Sequence, residues 1–252
     1  MSTLIHPARI SRKTAVTRQI ARNLASRPGI MGSLLSLQLA GTLIAISAQN
    51  GSNGSFGNLT LNIQTFNTDV IVVLTLVWAF LAPLYLTGRD SFEADMVFTN
   101  DRITRHFGNI GYLALLTFAG SLTAVMACLT VLLLPLLGSR PVLFPEFGQW
   151  GLAGYALAMF TVLLSYSLLL MGAGYLIGTL IGLSRLLVIG LFLIGLVLLG
   201  VLDDAGLRWL GRFSRFLFGN EQPVILLIKS ASSSAVLFLA AVLASNRQEA
   251  GS

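Results

Sequence analysis

The stretch Gly108–Ser139, GNIGYLALLTFAGSLTAVMACLTVLLLPLLGS, contains no charged side chain. At 1.5 Å of rise per residue, the apolar run Ile110–Leu137 within it makes a helix about 42 Å long. A bilayer core takes about 20 such residues. In lipid, backbone groups find partners only inside a helix or a closed barrel. The outward alternation of a membrane barrel is missing here. The stretch therefore reads as a membrane-spanning helix, and a second charge-free stretch, Phe147–Ser184, has the same character.

Working outward, the whole chain fits that start. Hydrophobic residues make up 55% of its 252 residues and charged residues 10%. A soluble domain carries about 25% charged residues, so a water-exposed globule is excluded. Six spans are expected, at Ile30–Ala48, Val70–Thr87, Ile110–Leu137, Gly151–Met171, Leu186–Leu202 and Pro223–Ala244. The division between the fourth and fifth rests on Gly172, Gly174, Gly178 and Gly182, where a turn is expected. The four-residue spacing of the last three also suits close helix contact. The fold class is all-α and polytopic. A basic interfacial segment (1–29) precedes one transmembrane domain (30–244) and a short tail (245–252). The first apolar run lacks a small-residue cleavage pattern and reads as a retained span rather than a signal peptide.

Orientation follows the distribution of Lys and Arg. With the N-terminus inside, eleven basic residues fall on inner segments: Arg9, Arg12, Lys13, Arg18, Arg22, Arg27, Arg89, Arg102, Arg105, Arg185 and Arg247. Four fall on outer segments: Arg140, Arg208, Arg212 and Arg215. That bias places both termini in the cytoplasm, with the chain in a cell (inner or plasma) membrane. The net charge of +6 is thus explained by topology and anionic lipid, not by nucleic acid. The basic segment Pro7–Arg27, with Ile10, Ile20 and Leu24 interspersed, suits a helix lying in the inner interface. The first outer loop, Gln49–Thr68, is uncharged and rich in Gly, Asn and Ser, and is expected to be flexible. Its sequons at Asn50, Asn53 and Asn58 are matches that such a composition produces by chance. The single cysteine, Cys128, lies inside an apolar run and reads as packing.

Function is sought between the spans. The inner loop Arg89–Asn109, RDSFEADMVFTNDRITRHFGN, interleaves both signs of charge with Phe92, Met96, Val97, Ile103 and Phe107. This pattern suits amphipathic helices at the membrane surface, where charges dock a soluble partner or simply meet water. Thr99 or Asn100 can cap a helix starting at Asp101. The outer segment Asp203–Gln222 places Arg208, Arg212 and Arg215 on one helical face and Leu210, Phe213 and Leu217 on another, with Trp209 and Phe216 beside them. It reads as an outer amphipathic helix before the last span. Lys229 lies within the last span, followed by Ser230, Ser232, Ser233 and Ser234. A charge there marks a pathway or snorkels to headgroups. The serines favour close helix contact.

The run Phe98-Thr99-Asn100-Asp101-Arg102-Ile103-Thr104-Arg105, with Asn109-Ile110 opening a span, resembles the first inner loop of bacterial ABC-2-type permeases, the membrane subunits of ATP-binding-cassette transporters. Span count, basic entry helix and length are similar too. The resemblance implies an exporter subunit whose entry helix is the connecting elbow. Phe98, Thr99, Asn100, Asp101, Arg102 and Arg105 would then meet a separate cytoplasmic ATPase. It also implies that Arg208, Arg212 and Arg215 line the exit, with Lys229 and Ser230 on the pathway, and that a second permease subunit completes the assembly in the lipid. The importer-type coupling signature is missing between spans four and five.

Enzyme chemistry is not expected. The two histidines, His6 and His106, fall outside the expected spans, and there is no HExxH, no intramembrane carboxylate pair and no GxxxxGK[ST] loop. No metal site or cofactor is expected in this chain; ATP and Mg would belong to the partner. The competing function is a non-transporting scaffold that recruits a soluble partner through the same loop. An ion-coupled carrier is disfavoured because the spans hold almost no ionisable residue besides Lys229.

Overall fold

The computed structural model describes residues 12–47, 50–56, 59–65, 68–88, 102–134, 151–183 and 222–246. Six helices and one hairpin make up this part: α1 (Arg12–Ser26), α2 (Pro28–Ser47), β1 (Asn50–Phe56), β2 (Leu59–Thr65), α3 (Asp69–Leu86), α4 (Arg102–Leu133), α5 (Gly151–Leu183) and α6 (Pro223–Asn246). Five of the helices, α2 to α6, are long and apolar enough to cross a membrane. The chain is a helical, polytopic membrane protein. The expected fifth span, Leu186–Leu202, lies outside the described residues.

Local chemistry sets several boundaries. Pro28 has no N–H and pushes Arg27 out of helical geometry, which separates α1 from α2. Arg27 bridges the break: its N–H donates to the Asn23 carbonyl at 3.1 Å, and its own carbonyl accepts from Ile30 N–H at 3.3 Å. Asp69 in the first turn of α3 complements the helix dipole. Pro223 opens α6 at the position that tolerates it, and the Gln222 carbonyl accepts from Ile225 N–H at 2.9 Å.

Three expectations are corrected. The loop between the first two spans is not featureless: β1 and β2 pair antiparallel, from Asn50 opposite Thr65 to Phe56 opposite Leu59. The third span begins earlier than Ile110, because α4 starts at Arg102 and takes up the last eight residues of the expected loop. The fourth span does not end at Met171. Instead α5 continues to Leu183, and the glycines expected to form a turn are helical.

Close contacts give the direction of each helix. Gly41 of α2 meets Ile71 of α3, and Trp78 Nε1 donates to Ser33 Oγ at 3.0 Å, so α2 and α3 are antiparallel. Gly174 lies on Phe80 and Gly178 on Leu84 and Thr87, so α3 and α5 are parallel. Phe118 of α4 stacks edge-on against Phe160 of α5 at 5.4 Å, and His106 meets Tyr175, so those two are antiparallel. Gly172 meets Ser234 and Tyr175 meets Phe238, so α5 and α6 are parallel.

The core forms two apolar groups along this bundle. One, toward the His106 end, includes Leu34, Trp78, Leu86, Tyr112, Met171 and Tyr175. The other, toward the hairpin end, includes Ala45, Ile71, Val125, Val131 and Leu163, with Cys128 packed among them as expected. The outward faces are equally apolar. Leu39, Val73, Leu81, Phe118, Leu157, Ile228 and Leu239 are all exposed. Water would not tolerate so continuous an apolar exterior, and lipid does.

Candidate functional site

The most polar packing in the described residues is where α1 lies on the first turns of α4. Helix α1 is amphipathic, and one side of it seats on α4. Gln19 and Asn23 are buried, while Lys13, Arg18 and Leu24 are exposed, Leu24 by 50%. The polar side faces protein because α4 offers it a polar, small-residue track. A Cβ on Gly108 would come within 2.8 Å of Gln19 Cβ, and one on Gly111 within 2.6 Å of Ile20 Cδ1. At Gly108, where the obstacle is the Gln19 Cβ, close approach requires glycine. Asn23 Nδ2 then donates to Asn109 Oδ1 at 2.9 Å, joining the two helices through a buried amide pair.

The same turns of α4 point Thr104, Arg105 and His106 inward, all buried. His106 Nδ1 and the Tyr175 hydroxyl share a hydrogen bond of 2.6 Å, with the rings edge-on at 6.0 Å. Tyr175 in turn packs on Phe238 of α6 at 5.4 Å. One continuous set of contacts thus runs α1–α4–α5–α6 at this end. Neither Arg12–Ser26 nor Arg102–Tyr112 contains an acidic residue, so both packed segments carry only positive charge.

Of the residues expected to meet a partner, Phe98, Thr99, Asn100 and Asp101 lie outside the described residues, and Arg102 is the first residue of α4. Arg105 is relocated. It was expected on a docking surface beside Arg102, but it is 7% exposed. Arg208, Arg212 and Arg215 lie outside the described residues. Lys229 is half-buried on α6. Ser230 is buried and its hydroxyl donates to the Leu226 carbonyl, while Ser234, one turn on, seats against Gly172 of α5. Ser234 is therefore a helix contact within the chain, while Ser232 is exposed.

A second polar group was not anticipated. Gln38, buried within α2, donates its amide N–H groups to the Gly120 carbonyl of α4 at 3.0 Å and to Thr75 Oγ1 of α3 at 3.3 Å. One side chain thereby ties three spans. Its signal was an amide isolated in an apolar span, a residue type that membrane helices use to join one another. No known protein family, no curated protein and no solved structure matches the chain.

Proposed function

We propose that the chain is the membrane subunit of an ABC-2-type transporter, an exporter driven by a separate cytoplasmic ATPase that docks on the Arg89–Asn109 segment. The observation that carries this reading is the seating of α1 on α4. The basic helix packs on the very turns into which that segment leads, through Gln19, Ile20 and Asn23 against Gly108, Asn109 and Gly111. A partner pressing on the segment would act on α1 and α4 as one unit, and through His106 and Tyr175 on α5. ATP and Mg would be held by the ATPase, and a second permease subunit would complete the assembly. The test is affinity purification from the native host. A soluble ATP-binding-cassette ATPase is expected to accompany the chain, and nucleotide is expected to be hydrolysed by the pair. Purification of the chain with a different soluble partner, and without hydrolysis, would favour a scaffold.

The same proposal includes six spans with both termini in the cytoplasm. Two facts support it. Helices α5 and α6 are parallel, so the chain leaves α5 at the His106 end and must re-enter α6 from the other end. The 39 residues 184–222 suffice for a crossing of about 20. In a Cys128→Ser background, an impermeant maleimide added to intact cells is expected to label Gln222→Cys. Ser26→Cys and Ser252→Cys should label only after permeabilisation. Labelling of Ser252→Cys but not Gln222→Cys on intact cells would leave five spans.

A further inference from the structure

The segment that joins α2 to α3 is a hairpin with two unlike faces. Residues directly opposite in an antiparallel pair share a face, and successive residues alternate between faces. The register sets Phe56 opposite Leu59, Gly54 opposite Leu61 and Ser52 opposite Ile63. Phe56, Leu59, Leu61 and Ile63 therefore belong to one face. The pairs Gly51–Gln64, Asn53–Asn62 and Ser55–Thr60 make up the other, which is polar apart from Gly51.

A two-stranded hairpin is marginal in water and needs a further layer against its apolar face. Among the described residues, β1 and β2 pack chiefly on each other, and each has one paired edge. The outer edges have none of the usual protection, since residues 49–68 include no charge and no proline.

The spans fix what lies within reach. Helix α2 has 20 residues and α3 has 18, so they rise about 30 and 27 Å, enough for a bilayer core with nothing to spare. Residues 48–49 lead from Ser47 to Asn50, and residues 66–68 lead from Thr65 to Asp69. The base of the hairpin, Asn50 opposite Thr65, is thereby held at the membrane surface. Open strand edges exclude the hydrocarbon interior, because unpaired backbone groups find no partner there. The headgroup layer meets both demands. It offers water and polar heads to the edges and to the Asn-rich face, and acyl chains to the apolar face.

We propose that the β1–β2 hairpin lies flat in the headgroup layer where α2 leaves the membrane and α3 enters it, with the face of Phe56, Leu59, Leu61 and Ile63 toward the acyl chains. Its partner is a lipid surface. The hairpin anchors the α2–α3 end of the bundle whatever the chain transports.

Nitroxide labels on single cysteines test this, in the Cys128→Ser protein reconstituted in vesicles of phosphatidylcholine and phosphatidylglycerol. Oxygen collects among acyl chains, and a chelated nickel complex stays in water. Labels at Phe56→Cys, Leu59→Cys, Leu61→Cys and Ile63→Cys are expected to show an oxygen-to-nickel accessibility ratio several-fold above labels at Ser55→Cys, Thr60→Cys, Asn62→Cys and Gln64→Cys. Nickel access at every site puts the hairpin in water and overturns the proposal. Closure of the apolar face to both reagents means that protein covers it, a second copy or another chain, and overturns it too. Hydrogen exchange in the same vesicles guards against an effect of the labels. Hairpin amides of the unsubstituted protein are expected to exchange slowly. The triple variant Leu59→Ser, Leu61→Ser, Ile63→Ser is expected to lose that protection while α2 and α3 keep theirs. Fast exchange in the unsubstituted protein, or equal protection in the variant, overturns the proposal.

Discussion

Replacing Gly174 with leucine is expected to prevent the folded bundle from forming. A Cβ at this position would run into the Phe80 carbonyl oxygen and come within 3.0 Å of Pro83 Cγ. Neither obstacle can rotate away. The oxygen belongs to the α3 backbone, and the proline ring is fixed in that helix. Gly178 repeats the conflict one turn on, where a Cβ would meet Thr87 Oγ1 and lie 3.2 Å from Leu84 Cα. Overpacking of a tight core costs about 1–3 kcal/mol even where side chains can yield. With backbone as the obstacle the upper figure is the floor. About 3 kcal/mol is roughly 6–12 °C in Tm for a chain of this size. Gly182→Leu supplies the control on the same helix. Its Cβ would have only the Thr87 carbonyl oxygen near it, at 3.7 Å, an ordinary contact. Gly32→Leu, with nothing within 4 Å, supplies another. The check is the Tm and the monodisperse yield of purified protein. If Gly174→Leu folded as well as Gly182→Leu, α3 and α5 would not be packed as described.

Those glycines also show where the sequence stops being readable. Glycine in a membrane chain marks either a turn or a close helix contact, and spacing alone does not separate the two. The expected six spans require a turn within the stretch from Gly172 to Gly182. The helix instead runs on to Leu183, with Gly174 and Gly178 against α3 and Gly172 against α6. Five spans were legible, since apolar length is a property of sequence. The start of α4 was not. Arg102, Arg105 and His106 look like loop because they are polar, yet they open a helix, and Arg105 and His106 are buried in it. The hairpin has a local signal: Leu59, Leu61 and Ile63 alternate with Thr60, Asn62 and Gln64, after a Gly57-Asn58 pair of the kind that joins strands. Helix α1 was legible as amphipathic, but periodicity says which residues share a face and not whether that face meets lipid or protein. Asn23 pairs with a residue 86 positions away, and nothing local to α1 announces it.

Charge reversal at Arg102 and at Arg105 is expected to give different results, although the proposed docking segment includes both. Arg102 is the first residue of α4, where the helix dipole favours a negative side chain. Arg102→Glu is therefore expected to leave the helix start intact or slightly firmer, with Tm within about 2 °C of the parent. If the ATPase docks here, the reversed charge weakens the complex about tenfold or more, which reads as loss of the ATPase on co-purification. Arg105 is 7% exposed in the seam where α1, α4 and α5 meet. Arg105→Glu changes a buried charge for a shorter one of opposite sign, and disruption of a buried charged site costs about 3–5 kcal/mol. Its expected result is a fall in Tm of about 6 °C or more, with loss of the ATPase following from loss of the fold. Parallel measurement of Tm and co-purification separates docking from folding, because only Arg102→Glu should lose the partner while keeping its stability. Retention of the ATPase by Arg102→Glu would remove the start of α4 from the docking surface. An unchanged Tm for Arg105→Glu would place that arginine at the surface.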